Sequence, residues 1–177
     1  MAGTEALGRR LSGRLPEASI VSISVTMDAT NAARPAGLPA FEAIAEDFVF
    51  LDDWEDRYRF LIELGRALGD FPESERTAEN KVQGCASQVW IATRRDRDSR
   101  GEPVMNFRGD SDALIVRGLI ALLVSLLSGR PPREIATTDA LAALRPLGLE
   151  EHLTPQRSNG LAAMVKRLKL EAAKAAA

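Results

Sequence analysis

Apolar residues in the first folded third of the chain recur at helical intervals. Phe41, Ile44 and Phe48 share one side of a segment whose other side carries Glu42, Glu46 and Asp47, which predicts a helix. Trp54, Tyr58, Leu61, Gly65 and Leu68 trace the face of a second helix, with Asp56, Arg57, Arg59, Glu63 and Arg66 largely elsewhere. Asp52 followed by Glu55 resembles a capping box, and Gly69 stands where a left-handed residue ends a helix. The period then changes. A strand is expected from about Gln88 to Arg94, returning over Val104 to Phe107, with the charged run Arg95 to Gly101 as a solvated hairpin loop. Asp110 or Ser111 is placed to cap a third helix of about 112 to 128, apolar nearly all round, with Asp112 in its first turn. Gly129-Arg130-Pro131-Pro132 ends it. Short helical pieces follow from Pro132 to Ile135 and from Asp139 to Leu147. A last helix is introduced by Thr154-Pro155 and carries Leu161, Met164, Val165 and Leu168 inward, its Ala/Lys end beyond Leu170 expected to fray. The order is helix, helix, loop, strand, strand, helices: an α+β fold, with a small antiparallel sheet packed against several helices.

Residues 1–37 show no sustained period and are rich in Gly, Pro, Ala and Ser, so they read as a disordered leader, with Met27 as an alternative start. The folded unit is residues 38–177, one domain. Arg9, Arg10 and Arg14 precede the apolar stretch Ile20 to Val25, but Pro16 and Glu17 interrupt them, which argues against a secretory signal. The longest apolar run, Gly118 to Leu127, is half the ~20 residues that a bilayer demands, so it reads as a core helix.

Charge and composition narrow the function classes. A formal net charge of -2, with 27% charged residues, gives no electrostatic reason to expect nucleic acid or an anionic membrane as partner. The single cysteine excludes an intramolecular disulfide and any multi-cysteine metal site, and it fits a reducing, cytoplasmic setting. With His152 as the one histidine, a His-based metal site has no basis either.

That cysteine, Cys85, sits in Asn80-Lys81-Val82-Gln83-Gly84-Cys85-Ala86-Ser87-Gln88-Val89-Trp90, where a polar segment gives way to a strand. Gly84 lets the chain turn sharply, and small neighbours let another molecule approach the thiol. A lone cysteine is most often an inert packing residue. No histidine is near in sequence and Lys81 is four positions away, so nothing local lowers the thiol pKa. The thiol suits an acceptor positioned by a partner better than a free-standing nucleophile. The rival is an autonomous Cys–His hydrolase. Papain-like enzymes need Cys-Gly-(Ser/Ala)-Cys-(Trp/Tyr) and a histidine about 130–150 residues on, whereas His152 lies about half as far away in a polar turn. Asp112 and Arg157 read first as a helix-start carboxylate and a surface ion-pair residue; they gain interest only if folding brings them beside Cys85.

Four blocks in order resemble the SufE family of sulfur acceptors for cysteine desulfurases. They are Trp54-Glu55-Asp56-Arg57-Tyr58 with Leu61-Ile62-Glu63-Leu64-Gly65; the Asn80–Trp90 segment; Gly109-Asp110-Ser111-Asp112-Ala113 with Ile115 to Ile120; and His152 to Leu161. The resemblance implies a SufE/IscU-like fold and a sulfur-acceptor and activator role in iron–sulfur cluster assembly. Cys85 would carry sulfur as a persulfide, with Gln83, Gly84, Ser87, Asp112 and Arg157 supporting the loop or touching the partner. Implied partners are a SufS-like cysteine desulfurase and a SufBCD-like scaffold, the protein itself being a monomer or weak homodimer. No cofactor of its own is implied, pyridoxal phosphate belonging to the desulfurase. A paralogue serving another desulfurase and acceptor is the alternative.

Overall fold

The computed structural model describes Pro35 and residues 37–177. The expected leader, residues 1–37, therefore lies outside the described residues except for Pro35 and Gly37. In chain order the elements are α1 (Phe41–Phe50), α2 (Trp54–Arg66), β1 (Val89–Arg97), β2 (Pro103–Ser111), α3 (Leu114–Leu127), α4 (Pro132–Thr137), α5 (Ala140–Leu144) and α6 (Pro155–Ala176). Single 3-10 turns stand at Glu73–Glu75 and Arg145–Leu147. The architecture is α+β: one two-stranded antiparallel sheet among the described residues, packed against helices.

The third helix is the hub. Twelve of the fourteen residues of α3 are buried, so its near-continuous apolar sequence has partners on every side. It packs on β2, whose Met105 and Phe107 point into the core with Val89 and Ile91 of β1, and it crosses α2 on another side. That crossing is close because glycines stand at it. A Cβ on Gly65 would lie 2.8 Å from the Gly118 nitrogen, and one on Gly118 would collide with the carbonyl oxygen of Leu61. Backbone meets backbone there, with no room for a methyl group.

Several boundaries differ from the sequence reading, each for an identifiable reason. The cap of α2 is Asp53, whose carboxylate accepts the Glu55 N–H at 2.8 Å, and not Asp52. Gly69 does adopt φ +73, shortly after the helix ends. The strands run further than expected, from Val89↔Ser111 to Arg97↔Pro103. Charged Arg94 to Arg97 stay in the ladder because it continues past the core into solvent, where pairing needs no apolar side chains. Asp98 sets the reversal by accepting the N–H groups of Arg100 and Glu102.

At the other end, Asp110 and Ser111 belong to β2 and do not cap α3 as an N-cap residue would. Asp110 is a buried carboxylate held by Arg76 at 2.6 Å and Arg117 at 2.7 Å. Asp112 is not in the first turn of α3, which begins at Leu114; its carboxylate turns to the Gln88 N–H instead. The last helix does not fray beyond Leu170. It continues to Ala176, with Ala172 buried and Glu171 paired to Arg167 and Lys174.

The Gly65–Gly118 crossing carries a direct expectation. Gly118→Ala forces α2 and α3 apart along their shared backbone contact, so stability should fall by about 3 kcal/mol, the upper end for overpacking. Urea unfolding of both proteins measures this; an unchanged midpoint would show that the crossing has slack.

Candidate functional site

The cysteine segment is closed at its base by backbone. The Val82 N–H donates to the Val89 carbonyl at 2.9 Å and the Ile91 N–H to the Asn80 carbonyl at 2.8 Å, setting Lys81 opposite Trp90 on the free edge of β1. The approach to this base is also tied. The Asn80 side-chain amide donates to the Glu75 carbonyl at 2.9 Å, and Arg167 of α6 donates to the Glu79 carbonyl at 2.7 Å. Trp90 lies beneath the Arg76 guanidinium, 5.3 Å from its ring centre. What projects beyond is a short tip of residues 83–88. Gly84 there adopts φ +88, which a side chain would strain, and a Cβ at that position would touch Ala163 of α6.

Cys85 is half-buried against the start of α6. Its S–H donates to the Gly160 carbonyl, 3.6 Å away, and a Cβ on Gly160 would sit 3.5 Å from the sulfur. Beside the thiol is a cavity of about 20 Å³. Buried Val116, Leu119, Gly160 and Met164 line it, together with the more accessible Ala86, Ser87, Gln156 and Arg157. That volume holds about one water-sized group. Burial pushes the Cys85 thiol above its ordinary pKa, because the pocket solvates a thiolate poorly.

Residues far apart in the chain meet at this tip. Asp112 accepts the Gln88 N–H at 3.0 Å while its own N–H reaches the Gln88 carbonyl at 3.4 Å, so the β2–α3 connection grips the C-terminal side of the loop. Arg157, in the first turn of α6, lines the cavity, and no ion pair engages its guanidinium among the described residues. Its expected role in a surface ion pair is thus not seen. Ser87 lines the cavity too, whereas Gln83 is exposed at the tip and does not. Sequence reasoning missed Gly160, Met164, Val116 and Leu119. Gly160 alone left a signal, as a glycine inside a helical pattern where a neighbour must come close.

His152 is placed elsewhere. Its ring stacks on Trp54 of α2 with centroids 4.1 Å apart and planes 13° from parallel, and no imidazole lines the thiol cavity. Among the described residues no cluster of His, Cys, Asp and Glu could hold a metal ion, and no helix is long and apolar enough to cross a membrane.

Residues 42–172 match the model of the SufE family, described as an Fe-S metabolism associated domain. An uncharacterized SufE-like protein of Rhizobium etli is 55% identical over 135 residues, 76% of this chain and 90% of its own length. Another from Rhizobium meliloti is 51% identical over 135 residues, 76% of this chain and 96% of its own. The solution structure of a hypothetical protein from Thermus thermophilus superposes with a TM-score of 0.58 at 26% identity, over 76% of this chain and 94% of that one.

A desolvated thiol should alkylate slowly at neutral pH. The iodoacetamide rate at Cys85 is expected to keep climbing above about pH 8.5, where an unperturbed thiol is half ionised. In urea-unfolded protein the profile should return to that of a free thiol; identical folded and unfolded profiles would contradict the shielding.

Proposed function

This chain belongs to the SufE family, and we propose that it is the sulfur-acceptor and activator partner of a cysteine desulfurase, carrying sulfur on Cys85 as a persulfide to an iron–sulfur assembly scaffold. The observation that carries this reading is the cavity at the Cys85 sulfur. Its volume suits one added sulfur atom, and no general base stands beside the thiol. A hydrolase needs the opposite: room for an acyl group and a base within reach.

The step balances without an oxidant. The Cys85 thiolate attacks the terminal sulfur of the donor's persulfide, a new S–S bond forms on Cys85, the donor's S–S bond breaks, and the donor cysteine leaves as a thiolate. The proton released when Cys85 ionises returns to that leaving thiolate or to solvent. Because burial holds the resting thiol protonated, activation falls to the donor complex, where docking draws the tip out from against Gly160. Return of the loop would then place the terminal sulfur among Val116, Leu119 and Met164, away from water and stray thiols. The supporting roles proposed for neighbours follow from their contacts. Asp112 holds the loop's far end, Gly84 supplies its bend, Ser87 and Arg157 border the sulfur, and exposed Gln83 faces an incoming protein. Such a shuttle must release its donor, so a modest interface and a monomer or weak homodimer suit it. A cytoplasmic setting with a SufS-like donor and SufBCD-like acceptor is the arrangement proposed.

Incubation with a cysteine desulfurase and L-cysteine should add about 32 Da, one sulfur atom, to Cys85. Turnover of the desulfurase under reducing conditions should rise with the wild type and stay at its basal level with Cys85→Ser. The reading fails if Cys85→Ser stimulates as well as wild type, or if sulfur appears only on other groups.

A further inference from the structure

The corner between α1 and α2 combines two features that a free surface rarely holds together. Val49 and Phe50, in the last turn of α1, are 75% and 82% exposed, the most exposed large apolar side chains of the described residues. Around them, residues 42–56 contain seven carboxylates and not one lysine or arginine. All seven are exposed. Among the described residues only Glu42 and Asp56 meet a cation, through Arg130 and Arg59. Glu46, Asp47, Asp52 and Glu55 have none, and Asp53 serves only as the cap of α2. Arg57, next in the chain, donates its Nε–H to the Leu51 carbonyl, and with Arg59 and Arg130 it still leaves this corner net negative. An apolar knob in a negative field fits an occupant that is apolar and cationic at once.

The chain itself contains such a segment. Residues 7–15, outside the described residues, carry Leu7, Leu11 and Leu15 at intervals of four, with Arg9, Arg10 and Arg14 between them and no acidic residue. The segment is thus apolar and cationic at once by composition. The connection is long enough. Residues 16–34, 19 in all, separate the segment from Pro35, the first described residue, and 19 residues of extended chain reach at most roughly 60–70 Å. From the start of α1 to Phe50 the distance is about 15 Å.

We propose that residues 7–15 dock on this corner of their own chain, Leu7, Leu11 and Leu15 against Val49 and Phe50, and Arg9, Arg10 and Arg14 facing the carboxylates of residues 46–55. None of these residues lines the Cys85 cavity, so the contact is a second interaction surface, independent of the sulfur-transfer reading.

The test uses the full-length chain with a photoreactive benzophenone amino acid in place of Leu11. Irradiation of dilute protein should give cross-links within one chain, mapping by mass spectrometry to residues 46–56. Their yield should fall about fivefold in 1 M salt, where exposed charges are screened beyond about 3 Å. It should fall comparably in Phe50→Asp, in Val49→Asp, and when Arg9, Arg10 and Arg14 are all replaced by Glu. Since Val49 and Phe50 lie outside the core, the two Asp variants should melt as the parent does. Cross-links formed only between chains would make a second copy the occupant and overturn the proposal. So would cross-links mapping elsewhere, none at all, or a yield indifferent to Phe50→Asp and Val49→Asp.

Discussion

Asp110 is the point on which the rest of the structure leans. Its carboxylate is buried at 3% exposure, and it survives there because two guanidinium groups converge on it, Arg76 from the connection after α2 and Arg117 from α3. Each arginine is itself committed. Arg117 also donates to the Gly65 and Gly69 carbonyls at the end of α2, and Arg76 covers the Trp90 ring and meets Glu73. One carboxylate therefore joins α2, α3, both strands and the segment that leads to the cysteine loop. Removing both arginines would leave a buried charge uncompensated, a defect of about 3–5 kcal/mol. The orientation of the loop's base depends on this pairing before any residue of the tip matters.

From that base outward the structure becomes less constrained and more reactive. Backbone bonds fix where the loop starts and ends, and Asp112 clamps its last residue. Only beyond those points does the chain reach an exposed glycine and a half-buried thiol. This gradient fits the shuttle role proposed above: rigid support, with few contacts at the tip. The raised pKa of Cys85 belongs to the same design, since the α6 surface that shelters the sulfur also denies its anion water.

The helices were legible because amphipathic spacing survives in the sequence: Phe41, Ile44 and Phe48 all point inward, and the run from Ile115 to Leu127 is core. Cys85 was legible as a presented thiol from its small neighbours and the texture change into β1. The ends of the strands were not. Gly109-Asp110-Ser111-Asp112 has the composition of a turn and helix cap. Its first three residues are strand instead, with Asp110 neutralised by arginines 34 positions upstream and 7 downstream. Nor could spacing reveal that Gly160, 75 residues after Cys85, supplies its hydrogen-bond acceptor. Such pairings depend on tertiary approach and leave no local pattern. The family resemblance reached the SufE assignment by another route, through ordered blocks of sequence, and said little about which side chains touch.

The bonds that close the cysteine loop, Val82 to Val89 and Asn80 to Ile91, run from main chain to main chain. Apart from Gly84, side-chain identity at the tip is thereby uncoupled from the shape of the tip. Gln83, Ala86 and Gln88 are exposed, and none contributes a side chain to the closure. New residues at these three positions could change which protein surface the loop fits while the thiol keeps its place and its shelter. On the proposed role, the loop is a fixed mount with an interchangeable face, so partner fit and thiol placement can be altered independently.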